Sequence, residues 1–421
     1  MSEMLLCELA EINPPLQKTP ADNSVVGFIP MSSVREKGGV YEIQEAIFSE
    51  VKSGFTRFQN EDVLFAKITP CMENGKGARV TNLPSGCGCG STEFHVLRAR
   101  PDHDSEYIYQ LMQWTMTRMK AETFMSGSAG QQRVLSDFFF RFRVFAPSKR
   151  AQQKIARILQ TIDRAIEQTE ALIDKYQQIK AGLMHDLFTR GIGPNGQLRP
   201  PREQAPHRYQ QTPIGWIPKE WECLKLADVS EVDRGKFTAR PRNDPQYYNG
   251  DYPFIQTGDV TAHLGRSLSK YGQTLNDKGL TVSKLFPQGT IMVTIAANIA
   301  DTCIIAIPMC APDSLVGVIP NNPEDTRFIE RCINRRKDWL YARAPQSAQK
   351  NINLEDLRPL LIPWPEKLER DQVSRCYETI DRKLSSLEHE LDKTLKQKSG
   401  LMHDLLTGKV SVTPDPEPAH G

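Results

Sequence analysis

One segment of this chain occurs twice, and that limits the folds open to it. Residues 151–190 align without a gap on 369–408, at a constant offset of 218. Sixteen of these forty positions are identical. The shared core reads Thr161-Ile162-Asp163-Arg164 against Thr379-Ile380-Asp381-Arg382, then Gly182-Leu183-Met184-His185-Asp186-Leu187 against Gly400-Leu401-Met402-His403-Asp404-Leu405. A repeat of this kind calls for a duplicated architecture. Both copies read as helix, with apolar residues at alternating steps of four and three. Ile155, Leu159, Ile162, Ile166, Ile173, Leu183 and Leu187 make the first seam. Val373, Ile380, Leu384, Leu387, Leu391, Leu401 and Leu405 make the second. A seven-residue seam held this long argues coiled coil. The polar interruptions recur too, at Lys180 and Lys398. Pro147 and Ser148 open the first helix; Gly191, Gly193 and Pro194 close it, and Gly408 closes the second. At about 1.5 Å per residue each rod is roughly 60 Å long. Each seam finds its simplest partner in the other, antiparallel, with pseudo-two-fold symmetry. Gly182 and Gly400 sit inside the helices, where Gly costs about 1 kcal/mol against Ala. Close approach of the helices is the preferred reason, and a fraying helix end is the alternative.

A diverged globular module precedes each helix. Leu9-Ala10-Glu11-Ile12 answers Leu226-Ala227-Asp228-Val229, and Phe28-Ile29 answers Phe254-Ile255. Asp62–Ile68 answers Thr290–Ile295, and Gln131–Val134 answers Gln349–Ile352. Short apolar runs punctuated by Gly, Pro and Asn predict mixed modules rich in strand and loop. The expected class is α+β, with two mixed α/β modules, each followed by a long helix. The expected segments are 1–147 and 213–365 as modules, 148–191 and 366–410 as helices, 192–212 as a linker and 411–421 as a disordered tail. The helices stayed alike while the modules drifted. That fits helices meeting one kind of partner and modules meeting different targets, although loops also drift faster than coiled-coil seams.

With 39% hydrophobic and 25% charged residues, the composition is that of a globular protein. No apolar run approaches the roughly 18 residues of a membrane span, and a secretory leader is not expected. Nine scattered cysteines fit reduced thiols in a cytoplasm. Cys71, Cys87, Cys89 and His95 do not make paired CxxC knuckles, so no metal is expected, and Cys87-Gly88-Cys89 is read as a loop between strands. A net charge of +2 leaves nucleic acid open, because two small reading surfaces need only local positive patches. The chain has no P-loop motif.

The order of these features resembles the specificity subunit of type I restriction-modification enzymes. The residues that carry the likeness are Ala146-Pro147 leading into Gln152-Gln153-Lys154-Ile155-Ala156, its counterpart at Trp364-Pro365, the repeated Leu-Met-His-Asp-Leu, and Ile214-Gly215-Trp216-Ile217-Pro218-Lys219-Glu220-Trp221. The likeness spans essentially the whole chain. It implies a non-catalytic subunit whose two target-recognition domains each read one half of a split, asymmetric sequence in double-stranded DNA. The helices would act as spacer and as docking surface for two modification subunits, joined by two restriction subunits. S-adenosylmethionine, ATP and Mg would then belong to those partners, with no cofactor on this chain. One departure is the absence of a Glu-Gln pair just before either helix.

Direct readout uses Arg or Lys on guanine, Asn or Gln on adenine, and cations on phosphate. The DNA-binding candidates in the first module are Arg57, Lys67, Asn74, Lys76, Arg79, Gln131, Gln132 and Arg133. In the second they are Arg234, Lys236, Arg240, Arg242, Lys284, Asn298, Gln349, Lys350 and Asn351. The competing reading for any single one of these is a solvated surface residue, so the loops count as sets. Asn13-Pro14-Pro15-Leu16 resembles the Asn-Pro-Pro-aromatic motif of adenine methyltransferases, but Leu16 replaces the aromatic that would stack on a flipped base. A turn after the first strand is the competing explanation. His185-Asp186 and His403-Asp404 are expected at helix-end contacts, because adjacent helical residues do not converge. A self-contained methyltransferase and a coiled-coil scaffold for other ligands are the rival readings.

Overall fold

The computed structural model describes residues 3–128, 130–296, 298–343 and 351–413. The chain divides into two compact units, Met1–Ile173 with Leu387–Gly421, and Asp174–Ser386. Each takes the beginning of one long helix and the end of the other. The helices run Lys149–Thr189 and Lys367–Leu406. Among the described residues no helix is long and apolar enough to cross a membrane.

The first unit holds two four-stranded sheets. One has the order Ala10–Ile12, Phe94–Ala99, Val63–Ala66, Gly77–Arg79, all antiparallel. The other has the order Gln44–Ile47, Val25–Ile29, Cys87–Gly90, Thr56–Gln59, with its middle pair parallel. The second unit repeats both. Ser230–Arg234, Leu315–Pro320, Ile291–Thr294 and Thr302–Ile305 form one sheet, extended by Ser267–Leu268. Gln273–Leu275, Tyr248–Phe254, Met309–Ala311 and Lys284–Phe286 form the other. Its parallel contact sets Phe254 beside Cys310, as Phe28 sits beside Cys89.

Val63–Ala66 is apolar at every position, and Ile291–Thr294 at all but its last, because both faces of these strands are covered. Val63 and Phe65 enter one core, and Leu64 enters another. Ile291 and Val293 enter one core of the second unit, and Met292 enters the next. This is the alternation of a strand buried on both sides. Cys87-Gly88-Cys89 is a strand and not the expected loop. The ring of Phe58 lies where a Cβ on Gly88 would fall, at 2.6 Å, so only glycine lets the strand pack there.

The helices pair antiparallel. In the first unit Ile155, Ala156 and Leu159 share a core with Met402, Leu405 and Leu406. In the second, Leu187, Phe188 and Val373 share a core with Phe328 and Ile362. The repeated Gly-Leu-Met-His-Asp-Leu therefore serves as a docking end. The copy that ends the second helix packs against the first module, and the copy that ends the first packs against the second. All of the seam residues named above are buried or half-buried. The polar interruptions are paired. Lys398 Nζ lies 2.5 Å from Asp163 Oδ1, and Lys180 Nζ lies 2.7 Å from Asp381 Oδ1. The offset of 218 turns one pair into the other, so the lysines fix register rather than break the seam.

The expected reason for the helical glycines is overturned. A Cβ built on Gly182 or Gly400 meets nothing within 4 Å, so no close approach demands glycine. Gly182→Ala and Gly400→Ala should each stabilise the protein by about 1 kcal/mol, read as a higher denaturant midpoint. A lower midpoint would restore the packing explanation.

Both helices start from a lock built with different residues at equivalent positions. Gln152 donates to the Pro147 carbonyl at 2.9 Å and accepts from the Asp104 amide at 2.9 Å. Arg370 donates to the Pro365 carbonyl at 2.6 Å and grips Asp325 through Nε and Nη2 at 2.8 and 3.1 Å. Residues 192–212 are held firmly. Arg199 is buried and bidentate on Glu369, and the Tyr209 hydroxyl donates to the Pro200 carbonyl at 2.6 Å. Tyr209–Thr212 then pairs with Gly215–Pro218 as a hairpin.

Candidate nucleic-acid interface

In the first module a loop and a hairpin are stitched together at their backbones. The Val134 amide donates to the Lys67 carbonyl at 2.9 Å, and the Thr69 amide to the Gln132 carbonyl at 3.0 Å. Arg133 and Val134 form a short strand that pairs with Met125–Ser126. This gathers Lys67, Gln131, Gln132 and Arg133. Arg133 lies bidentate on Glu93, with contacts of 2.9–3.1 Å. Those hydrogen bonds hold the Glu93 carboxyl below its usual range, against the opposing pull of burial. Asn74 donates to Glu36 at 3.0 Å, and Lys76 donates to the Met31 carbonyl at 3.1 Å. Arg118, which the sequence reading missed, props this loop from beneath by donating to the Met72 and Gly75 carbonyls at 2.6 and 3.2 Å.

Arg57 and Arg79 stand apart from that cluster. Arg57 is exposed on the edge strand Thr56–Gln59 of the other sheet. Arg79 is tied to Glu61, Glu106 and the Ser105 hydroxyl, so its charge is already answered by two carboxylates.

The second module repeats the stitch. The Ile352 amide donates to the Ile295 carbonyl at 3.0 Å, and Asn351 bridges Ala296 as Arg133 bridges Ile68. Gln349 and Lys350 lie outside the described residues. Arg234 and Arg242 converge on Asp313, the first through its carbonyl at 2.6 Å and the second through its carboxylate at 2.7 and 2.9 Å. Arg240 folds onto the Phe237 and Ala239 carbonyls. Lys284 pairs with Asp233, whose carboxyl that contact holds low. Lys236 is exposed, and Asn298 donates to the Thr261 hydroxyl at 3.4 Å. Most candidate cations thus have a carboxylate or carbonyl beside them. Arg242 and Asp313 form the more exposed of these pairs; an exposed pair is worth about 0–1 kcal/mol, so a phosphate can displace that acid at small cost.

The methyltransferase-like turn is a structural turn. Asn13 follows the strand Ala10–Ile12 with φ +52°. Its side-chain oxygen accepts from the Val96 amide at 2.9 Å, and its nitrogen lies 3.2 Å from His95 Nδ1. His95 Nε2 lies 2.9 Å from the Val134 carbonyl, which makes it the donor, and burial keeps the ring neutral by lowering its pKa. Arg98 holds the Pro15 carbonyl at 2.7 Å and forms a buried pair with Asp62. Both polar ends of the Asn13 amide are therefore committed. Cys87 and Cys89 are buried; burial pushes the Cys89 thiol up to about 11. His185-Asp186 and His403-Asp404 sit at helix ends as expected. Asp186 contacts Arg190 at 3.2 Å, and the His403 ring lies 6.3 Å from that of Trp114.

The profile of the type I restriction modification DNA specificity domain matches residues 3–178 and again 218–397. The chain belongs to that family. The specificity subunit of the type I restriction enzyme EcoAI, from Escherichia coli, is 34% identical over 190 residues. That match covers 43% of this chain and 32% of the subunit. The chain thus spans about a third of the length of the E. coli EcoAI and EcoEI subunits. The MjaVIII specificity subunit of Methanocaldococcus jannaschii is 23% identical over 322 residues, covering 73% of this chain and 71% of that one. The type I specificity subunit structure from M. genitalium has a similar fold, with a TM-score of 0.58 at 14% identity. That match covers 98% of this chain and 96% of that one. In this specificity-domain chain both family matches include a module and most of the helix after it, in agreement with the duplication.

Proposed function

We propose that this chain is the DNA-reading, non-catalytic subunit of a type I restriction-modification complex. Each module would read one half of a split, asymmetric sequence. The carrying observation is that the Lys–Asp pairs that set the helix register are duplicated while the ion pairs of the candidate loops are not. Lys398–Asp163 and Lys180–Asp381 are counterparts; Arg133 on Glu93 and Arg242 on Asp313 are not. Helices of 41 and 40 residues are long enough to act as a spacer between half-sites. Their outer faces would dock two modification subunits. Adenine methylation with S-adenosylmethionine, and ATP- and Mg-dependent restriction, would reside in the partners.

The alternatives are weaker. A self-contained methyltransferase needs the Asn13 amide, which Val96 and His95 already occupy. A scaffold for other ligands leaves the basic loops of both modules without a purpose. The test is a methylation assay on the chain alone and with its modification subunits. Alone it should methylate nothing. The complex should bind and protect one two-part sequence. A complex that binds all sequences equally would exclude this reading.

A further inference from the structure

The second module carries a feature that its counterpart lacks. The strand Tyr248–Phe254 pairs with Gln273–Leu275 through a register shift, so that Tyr248 and Tyr252 both face Leu275. The equivalent pairing in the first module, Val25–Ile29 with Gln44–Ile47, has no shift. Residues 249–251 therefore bulge out of the second module's sheet. Gly250 is the foot of the bulge, since a Cβ there would lie 2.3 Å from the Asn276 Cα. Asn249 is thrown outward with φ +62°, a left-handed conformation that costs a non-glycine residue energy. Bulges often re-aim a side chain beside a functional site.

The bulge forms one wall of an open groove of about 520 Å³, lined by Asn243, Tyr248, Asn249, Tyr271, Gln273 and Thr274 among others. The lining is held in place. Asn276 donates to the Tyr248 carbonyl at 3.0 Å, and the Tyr248 hydroxyl donates to the Arg242 carbonyl. Gln256 donates to the Gln273 side-chain oxygen at 3.2 Å. Asn243, Asn249, Tyr271 and Gln273 are exposed. Three uncharged amides and two tyrosines make a poor phosphate site. They make a good base-edge site, because a carboxamide matches the N6 donor and N7 acceptor that adenine presents in the major groove. Arg242 sits next to this lining, on its exposed pair with Asp313, where a phosphate could take the carboxylate's place.

We propose that this groove is the base-reading surface of the second module, with Asn249 and Gln273 selecting adenine. The proposal rests on the DNA-reading function above and adds where and what one half reads. The test uses the chain assembled with its modification subunits, selecting from a double-stranded DNA library with randomised positions. The variants are Asn249→Gly, which removes the amide but keeps the left-handed backbone, and Gln273→Ala. The wild-type complex should enrich a two-part sequence with an adenine·thymine pair in one part. Each variant should lose about ten-fold discrimination at one such pair, with the other part read as before. Variants that enrich the wild-type sequence, or lose both parts together, would overturn the proposal. A wild-type complex that enriches no two-part sequence would instead remove the DNA-reading function, and this groove's role with it.

Discussion

Replacing Glu369 by alanine should destabilise the unit Asp174–Ser386 by about 3–5 kcal/mol, the usual effect of stranding a buried charge. Glu369 lies near the start of the second long helix, and its carboxylate is the meeting point of three elements. Arg199 grips both oxygens, Trp221 Nε1 donates at 3.0 Å and the Ile192 amide donates at 2.7 Å. The space is tight: a Cβ on Gly191 would fall 2.2 Å from Glu369 Oε1 and from the Trp221 ring. Water therefore has little room to replace the carboxylate. Removing it leaves the Trp221 and Ile192 N–H donors buried without that acceptor, and leaves the buried Arg199 guanidinium only the exposed Glu220 and the Arg190 carbonyl. Glu220, the other acid on Arg199, is 63% exposed at its side chain, so Glu220→Ala should cost no more than about 1 kcal/mol. Chemical denaturation of the two variants compares them directly. A loss below about 1 kcal/mol for Glu369→Ala would mean that this network does not hold the connection between helix and second module.

That network shows why part of the structure was hidden in the sequence. Residues 192–212 read as a linker because Pro, Gly, Arg and Gln dominate them. Composition does not reveal that Arg199 will meet a carboxylate 170 positions away. The helices were legible because their signal is local and repeated. Seam, capping glycines and the lysine interruptions all sit at fixed spacing, and antiparallel pairing follows from them. The glycines at 182 and 400 were misread because repetition suggests constraint, whereas both face open space. Cys87-Gly88-Cys89-Gly90 was misread because glycine usually punctuates loops. Here the demand comes from the Phe58 ring on a neighbouring strand, a contact the local sequence does not announce. The candidate cations were found by type, but the acids beside them were not. Glu93 and Asp313 are distant in sequence from Arg133 and Arg242 and meet them only in the fold.

The second large effect concerns sequence choice. The two modules share sheet order and helix docking but differ in the loops that carry the candidate contacts. Exchanging residues 1–147 for the corresponding module of another specificity chain should therefore replace one half of the recognised sequence and leave the other half intact. The scaffold should accept such an exchange. The contacts that the first module makes with the long helices, such as Tyr107, Leu111 and Phe138 in a common core with Leu159 and Leu405, are mostly apolar packing. Polar ties such as Gln110 to Asp163 and the Asp104 amide to Gln152, both at 2.9 Å, lie in the N-terminal half of the first long helix. Mapping methylated adenines in genomic DNA from cells that express the parent and the exchanged chain, each with its modification subunits, tests the account most directly. Two unlike reading heads on one duplicated scaffold predict a two-part sequence in which only one part changes; a change in both parts, or in neither, would contradict them.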